Sequence, residues 1–129
     1  MQRFLGRYSA FFYALLRIIS GAMFAWHGSQ KVFGANSKPL TSLLGIGGVI
    51  ELVGGILIAV GLCASIAAFI ASGEMAVAYF KAHSPDGWNP VQNHGELAVL
   101  YCFIFLYIAS QGSGVLSLDS IFRRSKLRR

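Results

Sequence analysis

The chain has 129 residues, is 55% hydrophobic and only 12% charged, and carries a formal net charge of +6. A water-soluble domain of this length has too much surface to cover with so few charges. Composition therefore excludes an ordinary soluble enzyme and points to a single-domain integral membrane protein. The basic excess lies at the ends, with Arg3 and Arg7 before the first apolar run and Arg123, Arg124, Lys126, Arg128 and Arg129 after the last. Beside membrane spans such clusters suit anionic headgroups, and no nucleic-acid partner is expected.

The first expected span covers residues 8–33. Its start resembles a secretory signal, but Arg17 interrupts the apolar run and no clear small-residue cleavage site follows, so it reads as a retained span. Within "LLRIISGAMFAWHGSQKVFG" (Leu15–Gly34), Arg17, Ser20, Phe24, His27 and Lys31 recur every three or four residues and share one helical face. Such a stripe points away from lipid, toward protein or a small wet cavity.

The second and third spans, 45–62 and 65–82, are joined by a tight turn at "VGLCAS". A single span from Leu52 to Gly73 would leave "GIGGVI" and "MAVAYF" as unexplained apolar overhangs. In the second span Gly47, Gly54 and Gly61 repeat every seven residues, with Gly48 and Gly55 beside them and Glu51 on the same face. Small residues mark close helix–helix contact, so Glu51 is expected to look into the bundle. The third span repeats the device with Ala64, Ala67, Ala71, Glu74 and Ala78.

The segment "SPDGWNPVQNHG" is a loop by its turn chemistry. It leads to a fourth span, 96–112, and a basic tail, 119–129. The fold class is all-α, a bundle of four transmembrane helices spanning residues 1–129 as one domain. Lysine and arginine counts in the flanks place both termini in the cytoplasm.

Depth follows from the rise of 1.5 Å per residue. Arg17 and Glu74 each lie about 13 Å into their spans, near mid-membrane. An isolated charge there costs about 2.5–3.5 kcal/mol on insertion scales. An Arg17–Glu74 ion pair is therefore expected, either fixing helix register or belonging to a site. His27, Lys31, Glu51, His94 and Glu96 lie nearer the outer edge and form the candidate ligand-binding set. No catalytic residue stands out. The histidine spacings match no metal-ligand motif, so no metal is expected. The sequence also lacks H-E-x-x-H, a phosphate-cradling loop and a nucleophile elbow. Cys63 and Cys102 are far apart and read as small buried hydrophobes rather than a thiol relay.

The arginine and the His-Gly pair of the first span, the glutamate in "GGVIELVGGILIAVGL" and the "NHGE" opening the fourth span form a combination. Through it the chain resembles the DoxX family of small four-helix bacterial membrane proteins, from about Leu15 to Asp119. The resemblance implies a multi-pass protein of the bacterial inner membrane. It also implies a place in a membrane redox complex, with thiosulfate:quinone oxidoreductase as the family precedent. On that reading the chain has no intrinsic cofactor, quinone is the cofactor its site would meet, and its partners are the lipid bilayer and an oxidoreductase subunit. A homo-oligomer stays open, as does the question of turnover. In that role Arg17, His27 and Lys31 would supply positive charge and donors, with Glu51 and Glu96 handling protons. The alternatives are a non-enzymatic scaffold or chaperone-like subunit and a small proton-coupled transporter.

Overall fold

The structure is a computed structural model describing all 129 residues; it is all-helical, with no strand. A short helix α1 (Gln2–Leu5) passes through a 3-10 turn into α2 (Ser9–Phe33). Then come α3 (Leu43–Val60), α4 (Ala64–Ala78), α5 (Glu96–Gln111) and α6 (Leu118–Leu127). The four long helices fall on the four apolar segments of the sequence. By length and hydropathy α2 and α3 are each sufficient to cross a membrane, while α5 is a shorter apolar helix.

Small side chains are concentrated where the helices meet, while many large apolar ones face outward. The core is rich in alanine (Ala14, Ala64, Ala67, Ala68, Ala71 and Ala98), whereas Met23, Val53, Phe69 and Phe103 are exposed on α2 to α5. Large apolar groups on the outer faces and small residues at the helix contacts, with Phe24, Phe105, Ile58 and Ile108 filling the middle, suit a lipid solvent, because close backbone approach replaces the missing hydrophobic drive.

The α2–α3 contact is the most extensive of the fold. Gly21 and Gly28 of α2 lie against Gly55 and Gly48 of α3. A Cβ added to Gly28 would fall 2.2 Å from the Leu52 nitrogen, and one added to Gly55 would fall 2.4 Å from the Ala25 nitrogen. The heptad spacing of both glycine pairs keeps them on the shared face over two turns. The other close pair is α4 with α5. There the alanine row of α4 receives Tyr101, Phe105 and Ile108, while Ser65 and Ser72 donate to the carbonyls of Ala109 and Cys102 at 2.8 and 2.7 Å.

Helix ends follow the expected chemistry. The Ser42 hydroxyl accepts from the Gly45 amide to start α3. At its end Gly61 adopts the left-handed conformation (φ 73°) and donates to Ile58, while Leu62 donates to Leu57, a Schellman termination. This is the tight turn expected at "VGLCAS". Cys63 follows it at φ 50°, exposed, and Cys102 is half-buried; both are free thiols. The expectation of two buried cysteines fails for Cys63 because the turn itself occupies the surface.

The Arg17–Glu74 ion pair does not form. Arg17 is fully buried, but its guanidinium donates to backbone carbonyls: Ile58 and Ala59 at 2.8 and 2.7 Å, and Val115 and Leu116 at 3.2 and 2.7 Å. The reason is length. The 25 residues of α2 outrun the 18 of α3, so depth counted from the start of α2 places Arg17 too far in. It is level with the end of α3, where partially negative carbonyls face a cation. Glu74 is ten residues beyond Ala64 along α4, about 15 Å toward the opposite end of the bundle.

Candidate functional site

Two polar centres occupy opposite ends of the bundle. The first lies where the chain termini gather. Arg17 joins α2 to the last carbonyls of α3 and to the segment that follows α5. Asp119 completes the tie: its Oδ2 accepts from the Cys63 amide at 2.9 Å and the Ser113 hydroxyl at 2.6 Å, and its own amide donates to the Gly61 carbonyl. The Tyr13 hydroxyl donates to Gly112 at 2.6 Å. Nearly every polar group here is satisfied within the protein, which marks a structural knot.

The second centre is a cavity of about 690 Å³ at the end formed by the two long loops, walled by all four long helices and largely apolar. Its polar groups come from six segments, one of them α5, which supplies the Tyr101 hydroxyl. His27 and Lys31 descend from α2 on the stripe read from the sequence, and Glu51 and Glu74 project from α3 and α4. Lys81 and His83 stand on a π-helical turn, Tyr79–His83, that prolongs α4. His94 reaches the cavity from the loop before α5, at φ 61°. A π-turn rotates the residues beyond it relative to a regular helix, and such turns often re-aim side chains at functional sites.

Lys31 Nζ lies 2.5 Å from Glu51 Oε1, with the glutamate side chain buried and the lysine partly exposed. Glu74 Oε1 occupies the space a side chain at Gly47 would fill: a Cβ there would be 2.9 Å away. Since Gly47 and Glu51 are four residues apart on α3, both carboxylates belong to one face of the cavity. Glu51 Oε2, Glu74 Oε2 and the Tyr101 hydroxyl make no hydrogen bond within the protein. In a low-dielectric bundle an unpaired buried acceptor or donor is costly, and its persistence is characteristic of groups kept for a ligand, a proton or water.

Aromatic rings form the deep end. Phe24 packs on Tyr101 and Phe105 with centroids 5.4 and 4.7 Å apart, and Tyr101 stacks on Phe105. Below them Ile58 and Ile108 are fully buried. At the mouth, buried Asn93 organises the loop. Its amide nitrogen donates to Gly87 at 2.7 Å and to the Tyr79 hydroxyl at 3.2 Å, and its oxygen accepts from Gly95 at 2.9 Å. Tyr79 in turn donates to the Trp88 carbonyl. These bonds hold His94 in its left-handed conformation over the cavity.

Of the candidate ligand set, the structure brings His27, Lys31, Glu51 and His94 together and leaves Glu96 outside. Glu96 is exposed on the first turn of α5 and does not line the cavity. An acid there faces the positive end of the helix dipole, which accounts for it without a ligand. Glu74 joins the cavity in its place. Tyr101 and Asn93 were missed by sequence reading: a tyrosine within an apolar helix has no distinguishing pattern, and Asn93 carried a signal only as the residue before His94 in "NHGE". No three or more His, Cys, Asp or Glu side chains come together as a metal-binding group.

A family model described as DoxX matches residues 12–84, more than half of the chain. An uncharacterized protein of Haemophilus influenzae is 42% identical over 128 residues, covering 92% of this chain and 96% of that protein. A second uncharacterized protein of the same organism is 28% identical over 74 residues, covering 57% of this chain and 49% of that protein. No solved structure matches the chain.

Proposed function

Since the chain belongs to the DoxX family, we propose that it is a four-span protein of the bacterial plasma membrane. In this reading its cavity binds a quinone headgroup as part of a membrane redox complex. Four spans are supported by the exposed apolar faces of α2 to α5 and by the π-turn, which lengthens α4 to about 20 residues, enough for a crossing. The bunching of Arg3, Arg7 and the basic residues of α6 at the end where both termini lie supports a cytoplasmic placing of that end.

The observation that carries the ligand reading is the pairing of unsatisfied polar atoms with an apolar, aromatic-based cavity. A quinone head needs hydrogen-bond donors for its two carbonyls, an aromatic or apolar surface for its ring and groups able to exchange protons. Tyr101, Lys31 and His27 are donors of the right kind, Phe24 and Tyr101 supply the surface, and Glu74 and Glu51 are carboxylates that hold or release a proton. When bound, quinone supplies two-electron, two-proton redox chemistry, and the chain's residues position the ring and exclude water. Electrons would come from a partner subunit, because the two thiols are free and lie apart. The apolar layer beneath the cavity supports a one-ended site over a through path, so the transporter reading is the weaker one.

The test is native mass spectrometry of the protein gently extracted from its own membrane, with organic extraction of the same sample. Quinone at about one per chain, reduced at least tenfold in Glu74→Gln without loss of the folded protein, is the expected result. Recovery of ordinary phospholipid alone would reject the reading and favour a scaffold.

A further inference from the structure

The helix α6 plays no part in the cavity and lies outside the 12–84 segment matched by the family. Leu118, Ile121, Phe122 and Ser125 share one face of it. The three apolar side chains of that face are exposed, Ile121 at 59% and Phe122 at 54%, so the bundle does not cover it. Arg123, Arg124 and Lys126 occupy its other sides, and Arg128 and Arg129 follow at its end. Leu127, on the face away from the apolar stripe, is the one exception to the pattern. The sole acid of α6, Asp119, points to the Cys63 amide and the Ser113 hydroxyl and forms no ion pair with the five cations, which outnumber it five to one.

A ten-residue helix is marginal in water without a surface to cover its apolar side. Two features restrict what that surface is. A second copy of α6 would bring five like charges against five. The start of α6 is also pinned beside the α3–α4 turn by Asp119, and the preceding segment is held by Arg17 through Val115 and Leu116. The helix therefore begins at the rim of the apolar bundle, at the end that also carries Arg3 and Arg7.

We propose that α6 is an in-plane amphipathic helix that docks on the anionic headgroups of the bilayer leaflet next to the α3–α4 turn. Ile121 and Phe122 enter the headgroup–acyl boundary, and the arginines and lysine at its sides reach anionic lipid phosphates. Its two anchors differ in kind: Asp119 fixes the first turn to the protein, and charge fixes the rest to lipid. Each basic residue near such a surface is worth about a fivefold change in the docked fraction's equilibrium.

Hydrogen–deuterium exchange on the full-length protein tests this in nanodiscs of phosphatidylcholine alone and with added phosphatidylglycerol. The amides of residues 120–127 are expected to exchange at least about tenfold more slowly with phosphatidylglycerol present. That protection should disappear near 1 M salt, where the screening length falls to about 3 Å. It should also disappear in the Arg123→Glu, Arg124→Glu, Lys126→Glu variant while the α2–α3 amides stay protected. Equal protection in both lipid mixtures, or fast exchange in both, would overturn the proposal. Equal protection would mean the apolar face alone suffices, and fast exchange that the occupant is not a lipid surface.

Discussion

The replacement of an expected ion pair by a carbonyl clamp makes a quantitative prediction about Arg17. Arg17→Met removes four hydrogen bonds between a fully buried guanidinium and the carbonyls of Ile58, Ala59, Val115 and Leu116. At about 1.5–3 kcal/mol for a bond to a charged group, their simple sum would be about 6–12 kcal/mol. Methionine, however, fills part of the volume, and the carbonyls at this end of the bundle regain partners as the segment around Leu116 relaxes. A loss of about 3–5 kcal/mol is therefore expected, in the range for removing one member of a buried charged interaction. Glu74→Gln should cost less than about 1 kcal/mol, since Glu74 Oε2 has no partner in the protein to lose. Groups about 15 Å apart with no shared partner act additively, so the coupling in the double variant should stay within about 0.5 kcal/mol. Reversible unfolding of the four proteins in bicelles measures each term. A coupling above about 1 kcal/mol would refute the clamp and restore the ion pair.

Three further outcomes follow from the packing. Gly28→Leu should prevent α2 and α3 from docking, because a Cβ alone would meet the Leu52 nitrogen at 2.2 Å, whereas Gly54→Ala meets nothing within 4 Å and should gain about 0.5–1 kcal/mol; folded yield in detergent separates them. Lys31→Met leaves Glu51 buried without its cation and should cost about 3–5 kcal/mol, and adding Glu51→Gln should recover much of it in the same unfolding assay. Asn93→Ala removes the bonds to Gly87, Tyr79 and Gly95, so hydrogen exchange should accelerate in residues 84–95 while α2 and α3 stay unchanged.

The four long helices, the tight turn at "VGLCAS" and the inward glycine and alanine faces were legible because each rests on a local rule, although Gly61, counted with the contact glycines, caps α3 instead. Apolar length, small-residue spacing and the need for a turn between two apolar runs are properties of a segment and its immediate neighbours. The same rules placed His27, Lys31 and Glu51 on faces that do converge. Glu96 was misassigned because loop geometry, rather than its neighbour relation to His94, decides which of the two reaches the cavity. Tyr101 and Asn93 escaped notice because their importance lies wholly in what they meet.

What the sequence by itself determined is the solvent and the secondary structure: too few charges for water, apolar runs of helical length, a polar stripe along the first helix, and Glu51 and Glu74 on the small-residue faces of the next two. What only the tertiary structure decided is which polar groups meet. The offset between α2 and α3 assigns Arg17 to backbone carbonyls and frees Glu74 for the cavity. Helix periodicity specifies direction around an axis, while the height at which two helices engage depends on where their glycines touch, a property of the pair that neither segment encodes alone.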